Sequence, residues 1–353
     1  MRAPALLLGL LLALPALGTA DDAVPPEVLR KTLEWMQSSD PGKRAAAFRG
    51  VHLLGPEAVP VFQKALRKSR LHHEKELYRL LDNSENPVRE LAEARAELAE
   101  ERKRVYALIK TDFKKDPAEV AMLRREMEDI TKAHQRLARL FERDPTAIAE
   151  KVDLIAHALA DIDEELHRLE EPDSPLEILP LEERKTAALE DSFEGEVYLR
   201  NLATRETFAA EVKRHAQVTS HNKSLAWPQG HHRDFATHLN EQRVALGLRP
   251  LKLQENLTKA SRGHCEDMKR LGFFAHESPI KEKRSPAMRA RLAGYGGGFS
   301  GECIAAGYPH SGAAYDGWFS SDGHRFILFG GGAGEMGLGR ADKHWTFMTG
   351  RGK

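Results

Sequence analysis

Two histidines and a glutamate near the end of this 353-residue chain are the side chains best suited to chemistry. His276, Glu302 and His324 each lie close to a glycine or a proline, at spacings of 26 and 22 residues. Imidazole and carboxylate groups bind divalent metal ions and transfer protons near neutral pH. One helix face cannot present residues so far apart in sequence, so several elements must bring the three side chains together.

The N-terminus predicts an export signal. Arg2 supplies a positive start, Leu6–Leu17 is an apolar run, and Gly18–Ala20 is a small-residue cleavage site. The apolar run is too short to span a bilayer, and no later stretch is apolar enough to do so. We therefore expect residues 1–20 to be a signal peptide and the mature chain to be secreted or periplasmic. The alternative is an apolar N-terminal core helix.

Charge and cysteine content narrow the function classes. The 53 Lys and Arg residues balance the 53 Asp and Glu residues, which argues against nucleic acid as the main partner. Two cysteines, Cys265 and Cys303, are too few for a disulfide-rich scaffold. They can pair in an oxidising compartment or remain small buried thiols, and the sequence leaves that choice open.

The N-terminal half is predicted to be all helical. Residues 21–82 have apolar positions at helical spacing and a pattern that resembles a HEAT-type repeat. In residues 83–171 apolar positions step by threes and fours, which predicts an antiparallel helical hairpin or coiled coil. No catalytic motif occurs here, so we interpret this segment as a spacer or as a docking surface for an envelope or protein partner. Residues 172–232 are expected to be a linker with short helices.

From residue 233 onward, predicted helices are followed by predicted strands. The expected helices are 235–246, 257–271, 285–292 and 311–319, and the expected strands are 303–306, 326–329, 336–339 and 344–348. This order indicates a small sheet covered by helices.

An ordered series of motifs in this region resembles the CAP superfamily of cysteine-rich secretory proteins, antigen 5 and pathogenesis-related proteins. The series comprises Leu239-Asn240, Arg243, Gly247–Leu251, Asp267-Met268, Gly272–Pro279, Gly301–Ala305, Trp318, Gly323–Arg325, Met336–Gly339 and Trp345. The order of the motifs makes the match specific, whereas no single motif would. The resemblance implies an α-β-α sandwich at 233–353, secretion, and a surface cleft lined by two histidines and acidic residues. The chain is thus expected to be multidomain, with an all-α N-terminal region followed by a C-terminal CAP domain.

Carried over motif by motif, the resemblance assigns His276, Glu302 and His324 to the cleft. Many relatives have a second glutamate shortly after the motif tryptophan. Here Trp318 is followed by Phe-Ser-Ser-Asp, so no glutamate stands there. Asp322 is the candidate replacement in the cleft, and its alternative role is to cap a helix.

Two neighbouring residues have uncertain roles. Cys303 stands where relatives usually have asparagine, and it is a weak candidate nucleophile beside Glu302. Arg325 is a candidate cleft residue that positions a backbone carbonyl or an acidic ligand group. The alternative for Arg325 is a structural ion pair.

Two histidines and one carboxylate, with a fourth position open to water, match the ligand set of a catalytic zinc site. His276, His324 and Glu302 are therefore candidate ligands for Zn²⁺ or another divalent cation. The alternative is a hydrogen-bonded His–Glu–His cluster that orders loops around a polar pocket.

We expect an extracytoplasmic CAP-domain binding module that recognises an unidentified ligand in its cleft, with or without a divalent ion. One alternative is a metal-assisted hydrolase of peptide or envelope polymer, with Glu302 as ligand or general base. A second alternative, lipid binding, rests on the family alone. Whether the protein is an enzyme is left open, and no membrane span or nucleic-acid partner is expected.

Overall fold

A computed structural model describes residues 26–352 except 39, 52–53, 83–85, 144–145 and 174–179. The predicted signal peptide lies outside these residues. The helices are α1 (Pro26–Met36), α2 (Pro41–Val51), α3 (Val59–Leu81), α4 (Pro87–Ile109), α5 (Pro117–Glu142), α6 (Thr146–Glu170), α7 (Leu181–Glu190), α8 (Phe193–Ser224), α9 (Gly230–Ala245), α10 (Glu255–Leu271), α11 (Pro286–Leu292), α12 (Ser311–Phe319) and α13 (Asp322–Leu328). The strands are β1 (Lys252–Leu253), β2 (Phe299–Ala306), β3 (Glu335–Ala341) and β4 (His344–Gly350). None of the described helices combines the length and the apolar character that crossing a membrane requires.

The chain forms two compact units. The first comprises the residues up to Glu90 together with Arg143–Ala203, and the second comprises Leu91–Glu142 together with Thr204–Lys353. The predicted architecture, a helical N-terminal region followed by a C-terminal region in which helices cover a small sheet, is confirmed.

The first unit is helical, and its two longest helices, α3 and α6, pack along each other. Their apolar stripes meet in a core that includes Phe62, Leu66 and Ile162. Arg44 is 1% exposed and pairs with Asp161 at 2.7 Å, so the one deeply buried cation of α2 has a carboxylate partner. The HEAT-like repeat expected for residues 21–82 stays a prediction.

The helices between residues 83 and 171 divide between the two units. α6 packs against α3, whereas α4 and α5 form a hairpin whose apolar residues belong to the core of the second unit. Spacing by threes and fours marks a buried helix face but does not identify the partner. Residues 217–224, expected in a linker, continue α8 instead.

The second unit is built on a four-stranded sheet of order β1-β3-β4-β2, with β1 parallel to β3 and the other neighbours antiparallel. α10 covers one face of the sheet. The other face packs in the apolar core with residues of α9 and α12, such as Phe235 and Trp318. This is the α-β-α sandwich that the sequence predicted.

Two glycines in β3 allow α10 to lie directly on the sheet. A Cβ atom at Gly337 would lie 2.3 Å from the backbone nitrogen of Thr258, and one at Gly339 would lie 2.1 Å from that of Arg262. No other residue fits at that distance. The Met-Gly-Leu-Gly motif therefore sets the position of α10, which precedes the loop that carries His276.

The α4–α5 hairpin forms a further layer on this unit. α5 packs against α9, and the Arg102 guanidinium of α4 donates to the backbone oxygens of Ala245 at 2.8 Å and Val244 at 3.2 Å. Carbonyls at a helix C-terminus lack partners within the helix, so Arg102 satisfies two of them. The hairpin is thus an integral part of the second unit.

The strand predicted at 326–329 is wrong, because these residues lie at the end of α13 and just beyond it. Four consecutive apolar residues fit both the two-residue period of a strand and the 3.6-residue period of a helix. Phe326 is 49% exposed whereas Leu328 is fully buried, which is the one-sided burial of a short surface helix.

Candidate functional site

The structure brings His276 and Glu302 into direct contact. Nδ1 of His276 lies 2.9 Å from Oε1 of Glu302. The Glu302 side chain, in β2, is 2% exposed, whereas that of His276, in the loop after α10, is 51% exposed. A buried carboxylate therefore supports a half-exposed imidazole.

The second oxygen of Glu302 is held by Arg289 of α11. Its Nη2 donates to Oε2 at 2.6 Å, and both side chains are 2% exposed. A carboxylate that accepts from a guanidinium is ionised, so Nδ1 of His276 must be the donor in the other contact. The Glu302 pair thereby selects the tautomer of neutral His276 and leaves its Nε2 as a hydrogen-bond acceptor.

Arg289 also fixes the loop that carries His276. Its Nη1 donates to the backbone oxygens of Lys283 at 2.9 Å and Arg284 at 3.2 Å. Ser285 starts α11 by accepting from the Met288 amide at 3.3 Å, as a helix N-cap does. One guanidinium therefore positions both the carboxylate and the loop above it.

Two residues of α10 hold the two ends of the same loop. Asp267 is nearly buried and pairs with Lys283 at 2.7 Å. His264 is fully buried, and burial lowers its pKa, so its ring is neutral and its Nε2 donates to the Ala275 carbonyl at 3.0 Å. Gly272 ends the helix at φ 68°, a left-handed conformation suited to glycine.

His324 lies on α13 and is half-buried. Burial lowers its pKa, and the nearby His276 and Lys115 lower it further, so the ring is neutral near pH 7. Its Nδ1 is buried without a hydrogen-bond partner in the part of the chain that the structure describes. That the two imidazoles share one cleft stays a prediction.

Asp322 and Arg325 contact each other and the loop between α4 and α5. Arg325 is fully buried and donates to the backbone oxygens of Phe319 at 2.8 Å and Thr111 at 2.9 Å. Asp322 pairs with Arg325 and accepts from the Phe113 amide at 3.4 Å. Their contacts are therefore with the loop between α4 and α5, and the structural ion pair is the alternative that Arg325 adopts.

The three candidate metal ligands do not form a three-ligand metal site as they are arranged. Both oxygens of Glu302 accept N–H donors, and the Nδ1–H of His276 is one of these donors, which leaves Nε2 of His276 as the ring nitrogen open to an ion. Among the described residues, no group of three or more His, Cys, Asp or Glu side chains could hold a metal ion. A metal at His276, Glu302 and His324 would require Glu302 to leave Arg289.

Cys265 and Cys303 are both free and buried. Burial raises the pKa of Cys265 to about 12 and that of Cys303 well above its ordinary value. Neither thiol forms a thiolate near neutral pH, so neither has the reactivity of a nucleophile. The two cysteines belong to different apolar clusters.

Arg289 is the residue that sequence reasoning missed. α11 has seven residues, in which Arg289 is buried while Leu292 is 62% exposed, so hydrophobic periodicity suggests the opposite arrangement. The available signal was chemical, because a buried glutamate needs a cationic partner and two arginines stand shortly before β2.

Residues 236–347 match the model of the cysteine-rich secretory protein family, CAP. The C-terminal domain of this chain is therefore a CAP domain, as the motif series indicated.

Similar proteins match about a third of this chain. An uncharacterized membrane protein, YlbC, of Bacillus subtilis is 34% identical over 109 residues, covering 30% of this chain and 30% of that protein. The uncharacterized protein YkwD of Bacillus subtilis is 31% identical over 109 residues, covering 30% of this chain and 42% of that protein. A solved extracellular protein containing a SCP domain from Bacillus anthracis is 29% identical, covers 34% of this chain and 39% of that one, and has a TM-score of 0.32. The chain thus spans less than half the length of these relatives.

Proposed function

We propose that the CAP domain is an extracytoplasmic binding module whose contact site is formed by His276 and His324. The observation that carries this proposal is the contrast in exposure between the half-exposed His276 and the buried Glu302 beneath it. A ligand group that meets Nε2 of His276 finds an acceptor whose tautomer and orientation are already set, so little freedom is lost on binding.

Binding is favoured over hydrolysis by the state of Glu302. A general base or metal ligand must be reached by water or by the ion, and Glu302 is 2% exposed with its two oxygens already held at 2.9 Å and 2.6 Å. Breaking the Arg289 contact would leave two buried charges unpaired, which costs several kcal/mol. The metal-assisted hydrolase and the lipid carrier stay predictions.

The test is a titration of the full-length protein followed through the imidazole Cε1–H signals by NMR. Neutral, cationic and anionic fragments serve as probes, with His276→Ala and His324→Ala to assign the signals. Saturable shifts of both signals would support the site. His72→Ala, an exposed histidine on α3, is the control that should leave binding unchanged. Shifts that never saturate at either histidine would refute the proposal.

Zinc provides a separate comparison. A dedicated metal site would bind Zn²⁺ in the micromolar range or better and would lose that affinity in His276→Ala. The arrangement of Glu302 predicts much weaker binding, because the ion must compete with Arg289. Isothermal titration of the wild type and His276→Ala measures the difference.

Export is proposed from the predicted signal peptide and the family's secretory character. Mass spectrometry of the protein recovered from its native host should find a mature N-terminus at Asp21. An N-terminus that retains residues 1–20 in the cytoplasm would contradict export.

A further inference from the structure

A second cavity lies between α10, the start of α9 and the turn that joins β3 to β4. Its volume is about 800 Å³, within the range of small-molecule sites. α10 forms one side, His231 and His232 at the start of α9 form another, and Arg340 and Asp342 close it at the turn. All of its lining residues belong to the second unit, and His276 is not one of them. We call this surface the α10 groove.

Four aromatic rings stand in a row beside the α10 groove and end at a guanidinium. The ring centroids of Trp227 and His232 are 5.8 Å apart, those of His232 and His231 are 4.0 Å apart, and those of His231 and Trp345 are 5.8 Å apart. Trp345 is fully buried, and the Arg340 guanidinium lies over its ring at 4.9 Å. The row therefore places flat ring surfaces and a cation beside one another in the same groove.

The two imidazoles of this row are neutral near pH 7. Nδ1 of His232 accepts from the Gln229 amide at 2.9 Å, and burial lowers the pKa of this ring to about 4. Burial also lowers the pKa of His231, and the Arg340 charge lowers it further. The imidazoles are thus uncharged flat surfaces on which a planar group can stack.

Arg340 is fixed in position by its neighbours but retains donors for a ligand. Its Nε donates to the Asp342 carbonyl at 2.9 Å, and its Nη2 donates to the Pro309 carbonyl at 3.1 Å. Within the part of the chain that the structure describes, no carboxylate forms an ion pair with it. A guanidinium has five N–H donors, so both donors of Nη1 are available to an anion. Because the group is already held, little of its freedom is lost on binding.

The lining of the α10 groove has more cations than carboxylates. Five Lys and Arg side chains line it, against three Asp and Glu side chains. Each carboxylate already pairs with one of the cations: Glu255 with Lys259 at 2.9 Å, Glu266 with Arg262 at 2.9 Å and Asp342 with Lys269 at 3.5 Å. The excess positive charge is therefore that of Arg340 and Arg270.

Charges next to the lining do not reverse this excess. Arg270 pairs with Asp267 at 2.7 Å, but Lys283 shares the same carboxylate at 2.7 Å. Beside the two histidines, Asp234 and Arg233 have opposite charges. The α10 groove is therefore positive overall, with Arg340 as its unpaired cation.

We propose that the α10 groove is a second ligand site of the CAP domain and that it binds a ring-bearing organic anion. A planar ring lies against Trp227 and His231, and a carboxylate or phosphate group attached to that ring accepts N–H donors from Arg340. The site is independent of the binding function proposed for His276. Its positive charge favours anionic ligands and disfavours cationic ones.

The test compares four probes of the full-length protein at constant ionic strength and pH 7.5. Benzoate and phenyl phosphate have the ring and the charge, benzamide has the ring alone, and acetate has the charge alone. NMR signals of the His231 imidazole and the Trp227 indole report binding, and His231→Gln and Trp227→Phe assign them. The two ring-bearing anions should give saturable shifts of both signals, and benzamide should bind about fivefold more weakly, the size expected for one exposed ion pair. Acetate should also bind more weakly than benzoate, because it has no ring to stack.

Arg340→Gln should lower the affinity for benzoate to that for benzamide, and Arg340→Lys, which keeps the charge, should restore part of the difference. Lys343→Gln is the matched control, since Lys343 is an exposed lysine of the same turn that does not line the α10 groove. It should bind benzoate like the wild type. The comparison of benzoate with benzamide on the wild type needs no variant to fold. Equal affinity for these two probes, or shifts confined to His276 and His324, would overturn the proposal.

Discussion

Arg289 and Glu302 form a nearly solvent-free ion pair, with 2.6 Å between Nη2 and Oε2 and 2% exposure of each side chain. Neither residue is stable alone at this depth, because an unpaired buried charge is strongly unfavourable. The pair supports His276 from below and holds the backbone beside it. The candidate site is therefore coupled to the stability of the CAP domain.

Replacing Arg289 should destabilise the second unit. Arg289→Met leaves Glu302 buried without its cation, which predicts a loss of about 3–5 kcal/mol in the free energy of unfolding. Urea denaturation followed by tryptophan fluorescence measures it. Arg291→Met, an exposed arginine of the same helix, should change stability by no more than about 0.5 kcal/mol. Similar losses in both variants would contradict the role of the buried pair.

Gly339 should not tolerate a side chain. The Cβ atom of Gly339→Ala would meet the backbone of α10 at 2.1 Å, so the helix must move away from the sheet. We expect a loss of about 1–3 kcal/mol, as for overpacked cores, measured by thermal or urea unfolding. Gly332→Ala is the control, because a Cβ atom there has no neighbour within 4 Å. Wild-type stability of Gly339→Ala would show that this contact does not set the packing of α10.

The two thiols should be protected in the native protein. Cys265 and Cys303 are buried, and burial raises the pKa of both. Ellman's reagent should therefore titrate neither thiol under native conditions and both after denaturation in urea. If the denatured, unreduced protein releases no thiol, the cysteines are paired.

His134 should make stability fall in acid. Burial lowers its pKa to about 4, with Arg102 and His215 contributing, and its ring contacts Phe208 at 5.9 Å. Because this pKa is below that of an unfolded histidine, the unfolded state takes up its proton first as the pH falls. The contribution of neutral His134 to the free energy of unfolding is therefore fully present above about pH 6.5 and is lost as the pH falls towards 4.

Between pH 7 and pH 4.5, protonation of this histidine should lower the free energy of unfolding by about 2 kcal/mol. His134→Leu should abolish this contribution. Urea unfolding at the two pH values provides the measurement. Gln135→Leu replaces an exposed neighbour on the same helix and should leave the pH dependence as it is. An unchanged acid loss in His134→Leu would exclude this histidine as its source.

The CAP domain was predictable because its signals are local and ordered. Helix stops such as Gly272, and the alternation in β3 and β4, depend on neighbours along the chain. The motif series also assigned His276 and Glu302 to one cleft, and the two side chains lie 2.9 Å apart. The strand predicted at 326–329 was wrong, because a short apolar run fits the period of a helix as well as that of a strand.

The amino-acid order was sufficient for the helical region, which follows from periodicity, and for the CAP domain, which the ordered motif series indicated. Only the folded chain revealed the second partner of Glu302, because Arg289 lies in a short helix whose burial opposes its polarity. It likewise assigned the α4–α5 hairpin to the CAP unit and directed Arg325 to Thr111, 214 residues away in sequence. An apolar stripe shows that a face is buried, but its partner is decided by which surfaces meet in three dimensions.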